Sequence, residues 1–247
     1  MRRSEAKPSR GAVEPPYVGA VIFDLDGVLV DSESVWDEAR RRYVDVHGGT
    51  WREEATRDMM GMSSLEWSRY VRERLGVERP DEVISADVAG AVADLYRERL
   101  PLIPGAREAV DRIAERWPLG LASSSNREVI DLVLELSGLA ARFAATVSSE
   151  EVSRGKPAPD VYVEAARRLD VAPDACAAIE DSHNGMLSAS AAGMRVIAIP
   201  NRDFSPGEDA LAVADAVLDS IEDLRPELVA ALEQPQVDRE DGGRRER

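Results

Sequence analysis

Short apolar runs punctuate the chain, from Val18 to Phe23 and then at 119–122, 144–147, 176–179, 195–199 and 216–218. Each is too short for a buried helix and too continuously apolar for a strand with one wet face, so each predicts a strand covered on both sides. Between the later runs lie stretches with helical spacing. One follows Pro104-Gly105 and reaches about Arg116, and others span 127–136, 159–169 and 183–192, the last closing at Gly193. Strands alternating with helices predict an α/β fold with a doubly wound, Rossmann-like parallel sheet. In such sheets ligands bind beyond the carboxyl ends of the strands.

Residues 32–100 break that alternation. Helical spacing runs through 33–46, 52–59, 63–75 and 80–99, with turn signals at Gly48-Gly49, Gly61, Gly76 and Pro80. The expected organisation is therefore an all-helical cap, 32–100, inserted into a core formed by 18–31 and 101–232. Hinges are expected near 30–32 and 100–104. The charged, proline-bearing segment 1–17 and the polar segment 233–247 read as disordered ends.

Composition narrows the possibilities. The chain has 247 residues, of which 44% are hydrophobic, enough for a large core. No apolar run approaches the roughly 18 to 20 residues that a membrane-spanning helix needs. The amino-terminal residues resemble neither a signal peptide nor an anchor. A single cysteine, Cys176, cannot form an internal bridge, which fits a reducing cytoplasm. Its small apolar neighbours make it a core residue rather than a nucleophile. A formal net charge of −16 argues against nucleic acid and anionic membrane surfaces as partners. Nothing indicates an obligate protein partner.

That same charge repels an anionic substrate, so a phosphate-binding enzyme of this composition needs a local cation. Of 31 basic residues only Lys7 and Lys156 are lysines. A chain that otherwise uses arginine places one internal lysine, in Gly155-Lys156-Pro157, and this favours a specific role for it.

Four polar segments follow four of the predicted strands. Asp24-Leu25-Asp26-Gly27 follows the first, and carboxylates two residues apart leave a strand on the same side. Such like charges stay ionised together only with a cation between them, or else one keeps a proton. One acid as nucleophile and its neighbour as general acid and base is a covalent arrangement. Ser123-Ser124-Ser125-Asn126 follows the second strand, where hydroxyls and free N–H groups before a helix cradle an anion. Ser125 or Asn126 can equally cap that helix. Lys156, held by Pro157 and Pro159, is placed to neutralise a phosphoryl group. Glu180-Asp181 follows the fourth strand and completes a hard oxygen set suited to Mg²⁺. With only His47 and His183 present, a zinc site is not expected.

In order, DLDGVLVD, LASSSN, GKPAPD and EDSHNG resemble the four motifs of the haloacid dehalogenase (HAD) superfamily, and the helical insertion resembles its C1 cap. GKPAPDVY and EDSHNG resemble the group holding beta-phosphoglucomutase and sugar-phosphate phosphatases. The resemblance implies a nucleophile at Asp24 that becomes aspartyl phosphate and a general acid and base at Asp26. It implies a phosphate-binding hydroxyl at Ser123 and a stabilising charge at Lys156. Mg²⁺ would be held by Asp24, the Asp26 carbonyl and Asp181, with Glu180 contributing directly or through a partner. Ser124 and Asn126 are further candidates for phosphate or substrate contact.

Asp26 separates the chain from dehalogenases resembling the founding member, which lack this acid and need no Mg²⁺. The mutases carry a cap Lys-Gly pair and a following arginine, where this chain has Met60-Gly61 and Ser64. Their histidine in the first cap helix is replaced by Trp36. A phosphatase acting on a small phosphorylated metabolite is thus expected, with a mutase second and a non-catalytic binding protein a remote third. No lysine occurs in 32–100, so Schiff-base phosphonate cleavage is excluded. Trp36 is expected to face the cleft, and Met59, Met60, Met62 and Trp67 to form either a lid or the cap's own core.

Overall fold

The computed structural model describes residues 18–201 and 205–232; the expectations for 1–17 and 233–247 lie outside the described residues. Six parallel strands form one sheet: β1 (Ala20–Phe23), β2 (Leu119–Ser123), β3 (Phe143–Ser148), β4 (Cys176–Glu180), β5 (Arg195–Ala198) and β6 (Ala216–Val217). Their order is β3-β2-β1-β4-β5-β6, with Val21 paired to Leu119 on one side and Ala177 on the other. The chain reverses its direction of sheet growth beside β1, so the cleft of a doubly wound sheet opens at the ends of β1 and β4.

Strand alternation divides the core into two. Val21, Phe23, Leu121 and Ile179 face one side, while Ala20, Ile22, Ala122 and Ala178 face the other. The first face is covered by α5 (Ala106–Ala114) and α6 (Arg127–Ser137), through Val110, Ile113, Ile130 and Val133. The second is covered by α7 (Asp160–Leu169) and α8 (His183–Ala191), through Tyr162, Ala165, Met186 and Ala189. Cys176 belongs to this second core, and burial pushes its thiol up to about 12.

Between β1 and α5 stand four helices: α1 (Glu33–Val46), α2 (Ala55–Met59), α3 (Ser64–Leu75) and α4 (Asp81–Glu98). A capping box between Ser63 and Glu66 starts α3, and an apolar face of Trp67, Val71 and Leu75 holds it to its neighbours. α2 begins at Ala55, later than its spacing suggested. Two short helices, α9 (Glu208–Leu211) and α10 (Pro226–Ala231), were not anticipated, being too brief to carry a period.

The two chain crossings run side by side. Val30 bridges Leu102 in antiparallel fashion, and the Asp31 N–H donates to the Pro101 carbonyl at 2.9 Å. The helical insertion rests on the core: the Ser124 hydroxyl donates to the Gly61 carbonyl at 3.4 Å, and Asn126 Nδ2 donates to Ser85 Oγ at 3.0 Å. No helix among the described residues is long and apolar enough to cross a membrane.

Candidate active site

The end of β1 delivers Asp24, 5% exposed, whose N–H donates to the Ile179 carbonyl at 3.0 Å. Leu25 turns into the core and Asp26 returns to the cleft. The chain then folds back sharply, with the Leu29 and Val30 N–H groups donating to the Leu25 carbonyl at 2.8 and 3.1 Å. Gly27 makes this turn at φ +79°, a left-handed conformation that glycine adopts without penalty.

Lys156 reaches the same point from the loop before α7. Its buried ammonium donates to Asp24 Oδ1 and to Glu180 Oε1, each at 2.6 Å, and lies 5.0 Å from the centre of the Tyr162 ring. Glu180, at the end of β4, is completely buried. Its Oε1 also accepts from the Tyr162 hydroxyl at 2.6 Å, while Oε2 accepts from the Asp181 N–H, the Ser182 N–H and the Ser182 hydroxyl. This approach is close because Gly185 has no side chain; a Cβ there would land on the Glu180 carboxylate.

Asp24, Glu180 and Asp181 each offer an oxygen within 4.8 Å of the others. Burial pushes the Asp24 carboxyl up to about 8 against the pull of Lys156, with Glu180 and Asp26 adding to the rise. Burial likewise holds Asp181 well above its ordinary value, reinforced by Glu180 and Asp24. Burial draws Lys156 down, but the two carboxylates it touches outweigh this and raise it. One ammonium therefore faces an excess of acids. Asp181 Oδ1 is buried without a hydrogen-bond partner among the described residues. An orphaned carboxylate oxygen in a crowd of acids fits a hard divalent cation. Glu180 belongs to this group and also has both oxygens engaged by hydrogen bonds, one of them from Lys156.

Asp26 Oδ2 accepts from the Ser125 hydroxyl at 2.7 Å and the Ser123 hydroxyl at 3.2 Å. Ser123, expected beside phosphate, is the last residue of β2 and wholly buried against Asp26, its Oγ also accepting from the Ser125 N–H at 2.9 Å. Ser124, the next residue, lines the cleft. Asn126 is turned away: Nδ2 donates to Ser85 and to Glu150 Oε1 at 2.7 Å, and the residue lines neither space around Asp26. That corrects the expectation of a phosphate contact at Asn126.

Two small chambers, each about 70 Å³, adjoin at Asp26. The first holds Asp24, Lys156 and Asp181. The second is walled by Trp36, Arg40, Met59, Met62 and Trp67. Asp26, Glu33, Met60, Gly61 and Ser124 line both. Trp36 thus reaches the cleft while also packing edge-on against Trp67, ring centres 6.0 Å apart. Of the cap arginines, Arg40 lines the second chamber, and Arg52, Arg57 and Arg69 line neither. Sequence spacing missed Tyr162, Ser125, Glu33 and Arg40. The only signal for Arg40 was its placement one helical turn after Trp36.

The model of the haloacid dehalogenase-like hydrolase family matches residues 18–193. The chain belongs to that family. Hexitol phosphatase B of Escherichia coli strain K12 is 36% identical over 214 residues, covering 85% of this chain and 96% of its own. CbbY from Rhodobacter sphaeroides, solved with phosphate, superposes with a TM-score of 0.77 at 26% identity, covering 87% of this chain and 99% of that one. A beta-phosphoglucomutase structure from Clostridium difficile superposes with a TM-score of 0.76 at 23% identity, covering 87% and 97%, and shares the fold. Within the family, the chain is a phosphoric monoester hydrolase.

Proposed function

We propose that the chain hydrolyses a small phosphorylated carbohydrate through an aspartyl-phosphate intermediate on Asp24, with Mg²⁺ as cofactor. The observation that carries this reading is the meeting of Asp24, Asp26, Lys156 and Asp181 around one chamber. Asp24 attacks phosphorus while the bond to the leaving oxygen breaks, and Asp26 gives its proton to the departing alkoxide. Asp26 then takes a proton from water as that water attacks the phosphorus of the acyl phosphate. Inorganic phosphate leaves and the Asp24 carboxylate is restored.

The geometry suits these roles. Ser123 and Ser125 hold one oxygen of Asp26 and leave the other to carry the proton. Lys156 fixes the Asp24 rotamer and offsets phosphoryl charge, itself anchored by Glu180 and Tyr162. Ser124 lines the chamber where phosphate would lie. Asp181 and Asp24, with the Asp26 carbonyl, are the groups that would hold Mg²⁺, and Glu180 supports them from behind. The bound ion would supply positive charge to the phosphoryl oxygens. The Gly61 carbonyl, which accepts from Ser124, brings the helical insertion to the rim of the site, where it would limit access of water.

Hydrolysis of p-nitrophenyl phosphate with and without Mg²⁺ tests the reading, wild type against Asp24→Asn. Turnover that survives in the variant removes the nucleophile assignment; turnover without Mg²⁺ removes the cofactor. Glucose 1-phosphate anomers with a bisphosphate primer should release inorganic phosphate. Accumulation of glucose 6-phosphate would instead identify a mutase, a reading that Met60 and Ser64 at the mutases' basic positions disfavour.

A further inference from the structure

The far wall of the chamber beyond Asp26 takes no part in the phosphoryl chemistry, yet it contains charge. Arg40 on α1 is 7% exposed, its guanidinium 5.1 Å from the Trp36 ring centre and 5.0 Å from that of Trp67. Its Nε is buried with no hydrogen-bond partner among the described residues. Glu33, two turns earlier on the same helix, buries Oε1 in the same condition. Neither orphaned atom is satisfied by the other. Burial pushes the Glu33 carboxyl up and draws Arg40 down, and the opposite charge of each only partly offsets this.

Glu33 and Arg40 both line this chamber, and a buried donor and a buried acceptor without partners beside one cavity are costly unless something serves both. Buried polar pairs of this kind reject a ligand that lacks the matching groups. An apolar leaving group satisfies neither. An anionic one satisfies Arg40 but brings like charge against Glu33 and Asp26. A hydroxyl group satisfies both, donating to the carboxylate and accepting from the guanidinium. Because Asp26 borders both chambers, an ester oxygen beside Asp26 would direct its carbon chain into this one.

We infer that Glu33 and Arg40 are specificity-determining residues that recognise hydroxyl groups of a neutral polyol leaving group. The inference rests on the phosphatase reading for its place in turnover, but not for binding. Glu33→Gln and Arg40→Met should lower kcat/KM for sorbitol 6-phosphate about 10- to 100-fold. That loss should exceed the loss on p-nitrophenyl phosphate, which has no aliphatic hydroxyls, by about tenfold. Equal losses on the two substrates in Glu33→Gln, which keeps the side-chain shape, would overturn the inference. So would a wild-type preference for phosphoglycolate that Arg40→Met abolishes, since this marks an anion site.

Binding separates this inference from the reaction itself. In the Asp24→Asn background, calorimetry should show sorbitol 6-phosphate binding about tenfold more tightly than inorganic phosphate, an advantage lost on adding Glu33→Gln. Equal affinity for the two ligands refutes the polyol site whatever the activity. Failure of the wild type to hydrolyse any phosphate ester, with that binding difference intact, refutes only the phosphatase reading.

Discussion

Gly27 and Asp181 meet so closely that a Cβ on Gly27 would lie within the Asp181 carboxylate. The contact joins the turn after β1 to the end of β4 and fixes where the Asp181 oxygens sit. A glycine is needed there twice over, for its positive φ and for its missing side chain.

Gly27→Ala should therefore act on cation binding as well as on stability. The backbone alone costs about 1–2 kcal/mol. Displacing Asp181 should weaken Mg²⁺ binding by about 10- to 100-fold, the usual effect of disturbing a ligand's support. Protection by Mg²⁺ in thermal unfolding reads this directly. Unchanged Mg²⁺ affinity in Gly27→Ala would mean that Asp181 does not bind the ion.

The acid cluster also predicts an interaction between pH and metal. Asp24 rises from 3.8 to about 8 in the folded chain, and Asp181 rises as well. Groups raised on folding stabilise the folded state below their unfolded values and lose that contribution as pH climbs through the folded ones. In a chelator, Tm should fall as pH goes from about 5 to 8. Acids held below their ordinary values, such as Glu164, finish titrating beneath that window and do not mask the trend. Added Mg²⁺ should raise Tm more at pH 8 than at pH 5. A flat metal-free profile, or equal Mg²⁺ stabilisation at both values, contradicts the electrostatic account.

Tyr162 holds Glu180, and Glu180 holds Lys156. Tyr162→Phe removes one buried donor and should cost about 1–3 kcal/mol in urea unfolding. Because the consequence reaches Asp24 through Lys156, kcat should fall several-fold with little change in KM. A raised KM at constant kcat would show that Tyr162 acts on substrate binding instead.

Asn126 tests the corrected placement. Asn126→Ala deprives Ser85 and Glu150 of a partner and should destabilise the chain by about 1–3 kcal/mol. Inhibition by inorganic phosphate should keep its constant within about twofold. A tenfold weaker inhibition would restore Asn126 to the phosphate site.

Much of this molecule was legible from its residues. β1, β2 and β4 carry unbroken buried runs because the centre of the sheet is covered on both faces, and the acids after β1 and β4 stood out against that background. The expected double cover fails at the edge, where β6 leaves Val217 exposed. The four inserted helices were marked by Gly and Pro turns. What the spacing did not reveal depends on packing between separate elements. β2 extends one residue beyond the run 119–122, and this single step buries Ser123 and brings Ser124 to the cleft. Glu180 reads as an acid beside Asp181, but the three donors on its far oxygen come from packing that spacing does not show. Arg40 stands in an Arg40-Arg41-Arg42 run that suggests a solvated helix face; only the contact of its guanidinium with the Trp36 and Trp67 rings turns the first member inward.

The pairing at the crossings has a mechanical side. Asp26 bridges Val30, and Val30 bridges Leu102, so the acid, the outgoing linker and the returning linker are stitched into one small brace. The acid proposed to hand over the proton is thereby tied to both strands of chain that join the helical insertion to the core.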